Sequence, residues 1–136
     1  MNKIALLIGV GQYPATDLSP LPTAVNDIHA LGKVLRHPEM GGFPESQVTL
    51  LENPGRVTME AAIEKLFSKR EQDDLALLYF SGHGIKDETG ALHLATFETY
   101  KTSDGQLVRA SAIPATIVND HIHGAQPRPA SGSDPG

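Results

Sequence analysis

The residues of this chain best suited to chemistry lie in one hexapeptide, Tyr79-Phe80-Ser81-Gly82-His83-Gly84. An imidazole titrates near neutral pH and both takes and gives a proton, so a histidine set between two glycines is a candidate general acid or base. Such a group needs a nucleophile to activate. Ser81 is close by, but it lies in no Gly-x-Ser-x-Gly turn and reads as a small loop residue rather than a nucleophile. The 136 residues contain no cysteine, which excludes thiol catalysis, disulfides and thiolate zinc sites within this polypeptide. The bland alternative for His83 is a loop histidine bonded to backbone.

Two other clusters carry less. Gly9-Val10-Gly11 is followed by Gln12-Tyr13-Pro14, without the third glycine and helix start that a dinucleotide loop requires, so nucleotide binding is discounted. His121 and His123 flank Ile122; alternate residues of a helix point to different faces, and no carboxylate or thiolate cluster supports them. No metal and no cofactor are predicted.

The elements that must position His83 follow from hydrophobic patterning. Ile4 to Val10 is an unbroken apolar run, the pattern of a strand buried on both faces of a parallel sheet. Pro14, Pro20 and Pro22 mark a loop, and from Thr23 the residues Ala24, Ile28, Leu31 and Leu35 recur at helical spacing up to His37-Pro38. After a Gly41-Gly42 turn, Gln47 to Leu51 reads as a second strand; Thr58 then caps a helix carrying Ile63, Leu66 and Phe67, which Asp73-Asp74 ends. Leu75 to Phe80 is a third buried strand. His83 therefore sits at a strand's carboxyl end, where open α/β sheets place their sites. Beyond a polar turn over Lys86 to Gly90, Ala91 to Thr96 forms a small strand rimming the site, and Ser111 begins a helix with Ile113, Ile117, Val118 and Ile122 as its stripe.

Composition bounds the rest. A hydrophobic content of 40% over this length suits one domain, and a formal charge of -5 with interspersed signs offers no basic face for nucleic acid and no polybasic segment for anionic lipid. The apolar start is too short to span a bilayer and lacks a cleavage site, which predicts a cytoplasmic protein. From Gly124 the sequence breaks into a Pro/Gly/Ser-rich tail with no core-forming residue larger than alanine. The reading is a domain over 1–123 and a disordered tail over 124–136, the tail resembling out-of-frame translation or an artificial chain end more than an evolved linker.

Four segments in order resemble the N-terminal, p20-like portion of the caspase-like cysteine peptidases (peptidase C14), nearest the bacterial and metacaspase branch. They are Ala5 to Tyr13, Ala24-Val25-Asn26-Asp27, Tyr79 to Gly84, and Leu92-His93-Leu94. The resemblance covers roughly Met1 to Asp120 and implies a caspase-like α/β fold, a mostly parallel sheet with flanking helices, here truncated before the fourth core strand. It further implies that His83 is the catalytic histidine and that the Gly84 N–H is an oxyanion donor. Asp27, with Ser81 near it, is the candidate for reading an Arg or Lys at P1. Asp27 remains open between that role and a solvated or capping carboxylate.

The departure from the family is its nucleophile, carried in an Asp-Cys-x-Ser-Gly-like motif at the end of the fourth strand, of which nothing is present. Two readings follow. One is a truncated cysteine-type endopeptidase, inactive alone, whose intact form acts on peptides or proteins with a basic P1 residue. The other is a pseudo-protease that binds peptides or proteins without cutting. The third strand, left at a sheet edge, invites a complementing chain and predicts poor solubility without one. No calcium cluster of the kind some relatives carry is matched.

Overall fold

The computed structural model describes residues 2–124; of the predicted tail, all but Gly124 lies outside the described residues. In chain order the described residues form β1 (Lys3–Gly9), α1 (Thr23–Arg36), β2 (Val48–Glu52), α2 (Arg56–Phe67), β3 (Leu75–Ser81), β4 (Gly84–Lys86), β5 (Leu92–Ala95), β6 (Ala112–Pro114) and α3 (Ala115–Gly124). Two sheets result: a parallel one in the order β2-β1-β3 and an antiparallel one in the order β4-β5-β6.

The unbroken apolar run of β1 is explained by its central place. Leu6 and Ile8 face a cluster with Met59, Ile63 and Leu66 of α2, whereas Ala5 and Leu7 face Ile28 and Leu35 of α1. Successive side chains of a strand point to opposite faces, so a strand covered on both sides must be apolar at every position. Its neighbours align in register, Leu7 opposite Leu50 on one side and Tyr79 on the other. This is the caspase-like α/β arrangement, with three parallel strands among the described residues.

Three boundaries and the burial of one strand differ from the sequence reading. Thr58 does not cap α2: the helix starts at Arg56, and the Arg56 N–H donates to Glu98 Oε1 at 2.9 Å. A carboxylate distant in sequence thus does the capping, consistent with the partial positive charge of a helix start. That helix ends at Phe67, before Asp73-Asp74, and Asp74 Oδ2 instead accepts from the Glu71 N–H at 2.7 Å in the following turn. Ser111 does not open the last helix but closes a 3-10 turn, and Ile113 lies in β6 opposite Leu94. Finally, β3 is not fully buried; its last six residues are all half-buried. Among the described residues it has β1 on one side and no strand on the other.

Candidate active site

β1 and β3 end together, Gly9 opposite Ser81, and the chain leaves β3 through Gly82 and His83 into the hairpin of β4 and β5. The loop from β1 to α1 wraps over this end. Gly9 and Gly11 allow the approach: a Cβ on either would meet the main-chain oxygen of Ala24 or Leu21 at 2.7 or 2.5 Å. Their purpose here is packing against the start of α1 rather than room for a phosphate.

His83 is gripped by that loop. Its Nε2 lies 2.8 Å from the Ser19 carbonyl oxygen, and its main-chain N–H donates to Tyr13 Oη at 2.9 Å. A carbonyl only accepts, so Nε2 carries a proton, and in the neutral ring Nδ1 holds the free lone pair. The bond therefore selects the tautomer and assigns acid/base capacity to Nδ1.

The hairpin orients the next peptide. Ala95 N–H donates to the His83 carbonyl at 2.9 Å, and Gly84 is opposite Leu94. In an antiparallel ladder bonded and non-bonded pairs alternate, so the Gly84 N–H points away from β5 and is not used in that ladder.

Asp27 and Ser81 come together: Ser81 Oγ donates to Asp27 Oδ2 at 3.3 Å. Asp27 lies past the first turn of α1, whose start has no side-chain cap, which removes capping as its role. The Ser81 hydroxyl is thus directed to Asp27 and not to His83. On the same end of the sheet, His29 Nε2 and Glu52 Oε2 pair at 3.0 Å, both half-exposed.

Residues 2–126 match the family model Peptidase_C14, the caspase domain. This chain belongs to the caspase-domain peptidase family. A comparison with the curated proteins found no match. Membership makes peptides or proteins the substrate class of the family, and this caspase domain carries no cysteine in its 136 residues. No helix among the described residues is long and apolar enough to cross a membrane. No group of three or more histidines or carboxylates among them is arranged to hold a metal.

Three groups at this caspase-domain site were not singled out from the sequence. Asn53, in the left-handed region at φ 48°, accepts from Gly11 N–H at 2.8 Å and Gln12 N–H at 3.2 Å, and its own N–H donates to the Gly9 carbonyl at 2.8 Å. It ties β2 to the wrapping loop. The Asn53-Pro54-Gly55 turn signal was visible, since asparagine tolerates that conformation, but its partners were not. Ser19 acts through its carbonyl, which no residue type announces. The third is the pair Asp87 and His93, whose side chains are both buried, with Nε2 and Oδ2 2.8 Å apart. Asp87 also accepts from Thr89 Oγ1, Thr89 N–H and Ala91 N–H. Those hydrogen bonds, first Thr89's hydroxyl and then His93's ring, hold its carboxyl far below the usual carboxylate range. The pair closes the hairpin turn that follows His83.

Proposed function

We propose that this chain is the histidine-bearing, p20-like portion of a metacaspase-type cysteine endopeptidase, cleaving after Arg or Lys once a cysteine is supplied, and inactive by itself. Residues 1–123 are its folded unit, and it acts in the cytoplasm. The supporting observation is the bond from His83 Nε2–H to the Ser19 carbonyl, which leaves Nδ1 as the working end of the ring at the carboxyl end of β3.

In the complemented site, the His83 Nδ1 lone pair takes the thiol proton and the resulting thiolate attacks the scissile carbonyl carbon; a C–S bond forms and the carbonyl π pair moves to oxygen, toward the Gly84 N–H. Collapse breaks the C–N bond, and His83 gives its Nδ1 proton to the leaving amine. Water then attacks the thioester carbon as it gives a proton to the same nitrogen; the C–S bond breaks, and the acid and the thiolate are released. Asp27, with Ser81 bonded to it, supplies the carboxylate for a basic P1 side chain. No cofactor takes part. The half-buried β3, with one strand neighbour among the described residues, is the edge on which the complementing chain adds.

Loss of a protease nucleophile costs on the order of 10⁶ in turnover, so without the thiol the remaining groups do not sustain hydrolysis. The absence of cysteine equally favours a second reading, a pseudo-protease that holds peptides uncut. Mixing the chain with a polypeptide that carries the fourth strand and an Asp-Cys-x-Ser-Gly motif separates the two. We expect cleavage after Arg or Lys that is lost in His83→Ala and has a raised KM in Asp27→Asn. Cleavage indifferent to His83 would sink the assignment, and tight binding of basic peptides without cleavage would favour the second reading.

A further inference from the structure

We infer that Tyr13 is a positioning residue for His83: its hydroxyl is inserted as one rung of the β1–β3 ladder and thereby sets the direction in which the histidine leaves the sheet. The inference deepens the reading of His83 as the acid/base group and rests on it.

In a parallel pair, one residue donates to a carbonyl of the neighbouring strand and accepts from the N–H two residues further along it. Val10 N–H donates to the Ser81 carbonyl at 2.8 Å, so continuing the ladder would have His83 N–H donate to the Val10 carbonyl. It does not. His83 N–H donates to Tyr13 Oη at 2.9 Å, and Tyr13 Oη donates to the Val10 carbonyl at 2.7 Å. The phenol oxygen stands between the two groups that a regular sheet would join, as a bridging water would.

One hydroxyl has the capacity for this. The carbonyl can only accept and the amide can only donate, so the phenol must be neutral and do both. Burial raises its pKa above the ordinary tyrosine value, against the opposing pull of the His83 N–H. The ring cannot drift, because Tyr13 is 4% exposed in the core cluster with Leu6, Ile8 and Val10. It also lies 5.0 Å from the His83 imidazole at an interplanar angle of 56°. The inserted rung holds His83 one hydroxyl's breadth from β1, where its ring reaches the Ser19 carbonyl and its carbonyl enters the hairpin. The same peptide plane leads to the Gly84 N–H, so one hydroxyl bears on both groups.

The test is NMR of the 136-residue chain, which needs no turnover. Tyr13→Phe keeps the ring and removes the rung. We expect roughly tenfold faster exchange of the His83 amide proton, the loss of about one hydrogen bond, with a shift of the His83 Nε2 signal as its bond to Ser19 loosens. An unchanged His83 amide and ring in a folded Tyr13→Phe protein would overturn the inference. Should that variant not fold, 3-fluorotyrosine in the wild-type sequence, which has three tyrosines, keeps the question open to decision. A weaker phenol acceptor must move the His83 amide proton upfield, and an unmoved signal contradicts the rung. In the cysteine-complemented protein, Tyr13→Phe should lower kcat with KM unchanged, whereas a lowered stability without that split would mark Tyr13 as structural only. If complemented wild type shows no turnover, the peptidase reading fails while the NMR result still decides the role of Tyr13.

Discussion

β1 and β3 are seven residues each, nearly as apolar as one another, and lie side by side in register from Lys3 opposite Leu75 to Gly9 opposite Ser81. Yet β1 is buried without a break from Ala5 to Gly9, while no residue of β3 is fully buried and Leu75 is 45% exposed. The difference lies in their neighbours. β1 has a strand on each side and a helix on each face; β3 has one strand neighbour among the described residues. An apolar run therefore states what a strand is able to bury, and the surrounding elements decide how much of that is used. The site sits where these two strands part.

Several substitutions sharpen or break this contrast. Leu6 and Leu78 are register partners in the same cluster, one 3% exposed and the other half-buried. Leu6→Ala should cost about 2–5 kcal/mol in urea unfolding, as a fully packed leucine does. Leu78→Ala should cost roughly half of that, because part of its surface is already in water. Equal costs would show that β3 is as well covered as β1 in solution. Asn53→Ala, which strips the acceptor from two N–H groups of the wrapping loop, should cost about 1–3 kcal/mol and release the loop that carries Tyr13 and Ser19.

Acid should act on the hairpin before the sheet. Asp87 has a depressed carboxyl pKa in the folded chain, so its contribution is fully present above the unfolded carboxylate range and is lost as pH falls below it toward the folded value. Lowering pH from the unfolded carboxylate range toward the folded value should loosen β4 and β5, read as faster amide exchange there. Asp87→Asn should flatten this acid limb while reducing hairpin protection at neutral pH. In the sheet itself, amide exchange should be slow throughout β1 and alternate between slow and fast along β3, since only one of its edges has ladder partners. Uniform protection of β3 would mean that something covers that edge. The smallest effect is expected for Leu75→Lys, at most about 0.5 kcal/mol on stability, with reduced self-association measured by light scattering.

What was legible in the sequence was local. The order of strand and helix through β3 followed from periodicity, and His83 from its glycines at a strand end. Ile113 was misread as helical because it shares spacing with Ile117, although Pro114 already disfavours a helical residue before it. The capping of α2 by Glu98, the two N–H groups held by Asn53 and the rung made by Tyr13 join residues roughly 40 to 70 positions apart. No pattern of residue types within a window carries such pairings. Asp27 and Ser81 were brought together only by the resemblance to the family, and lie 3.3 Å apart through a hydroxyl and a carboxylate.

The most direct test of the account is hydrolysis of a fluorogenic peptide ending in Arg or Lys by the pure chain, run beside His83→Ala. No turnover above background is expected for either protein, because the histidine has no thiol to serve. Turnover by the unaided chain that disappears in His83→Ala would contradict it and require another nucleophile among the residues present.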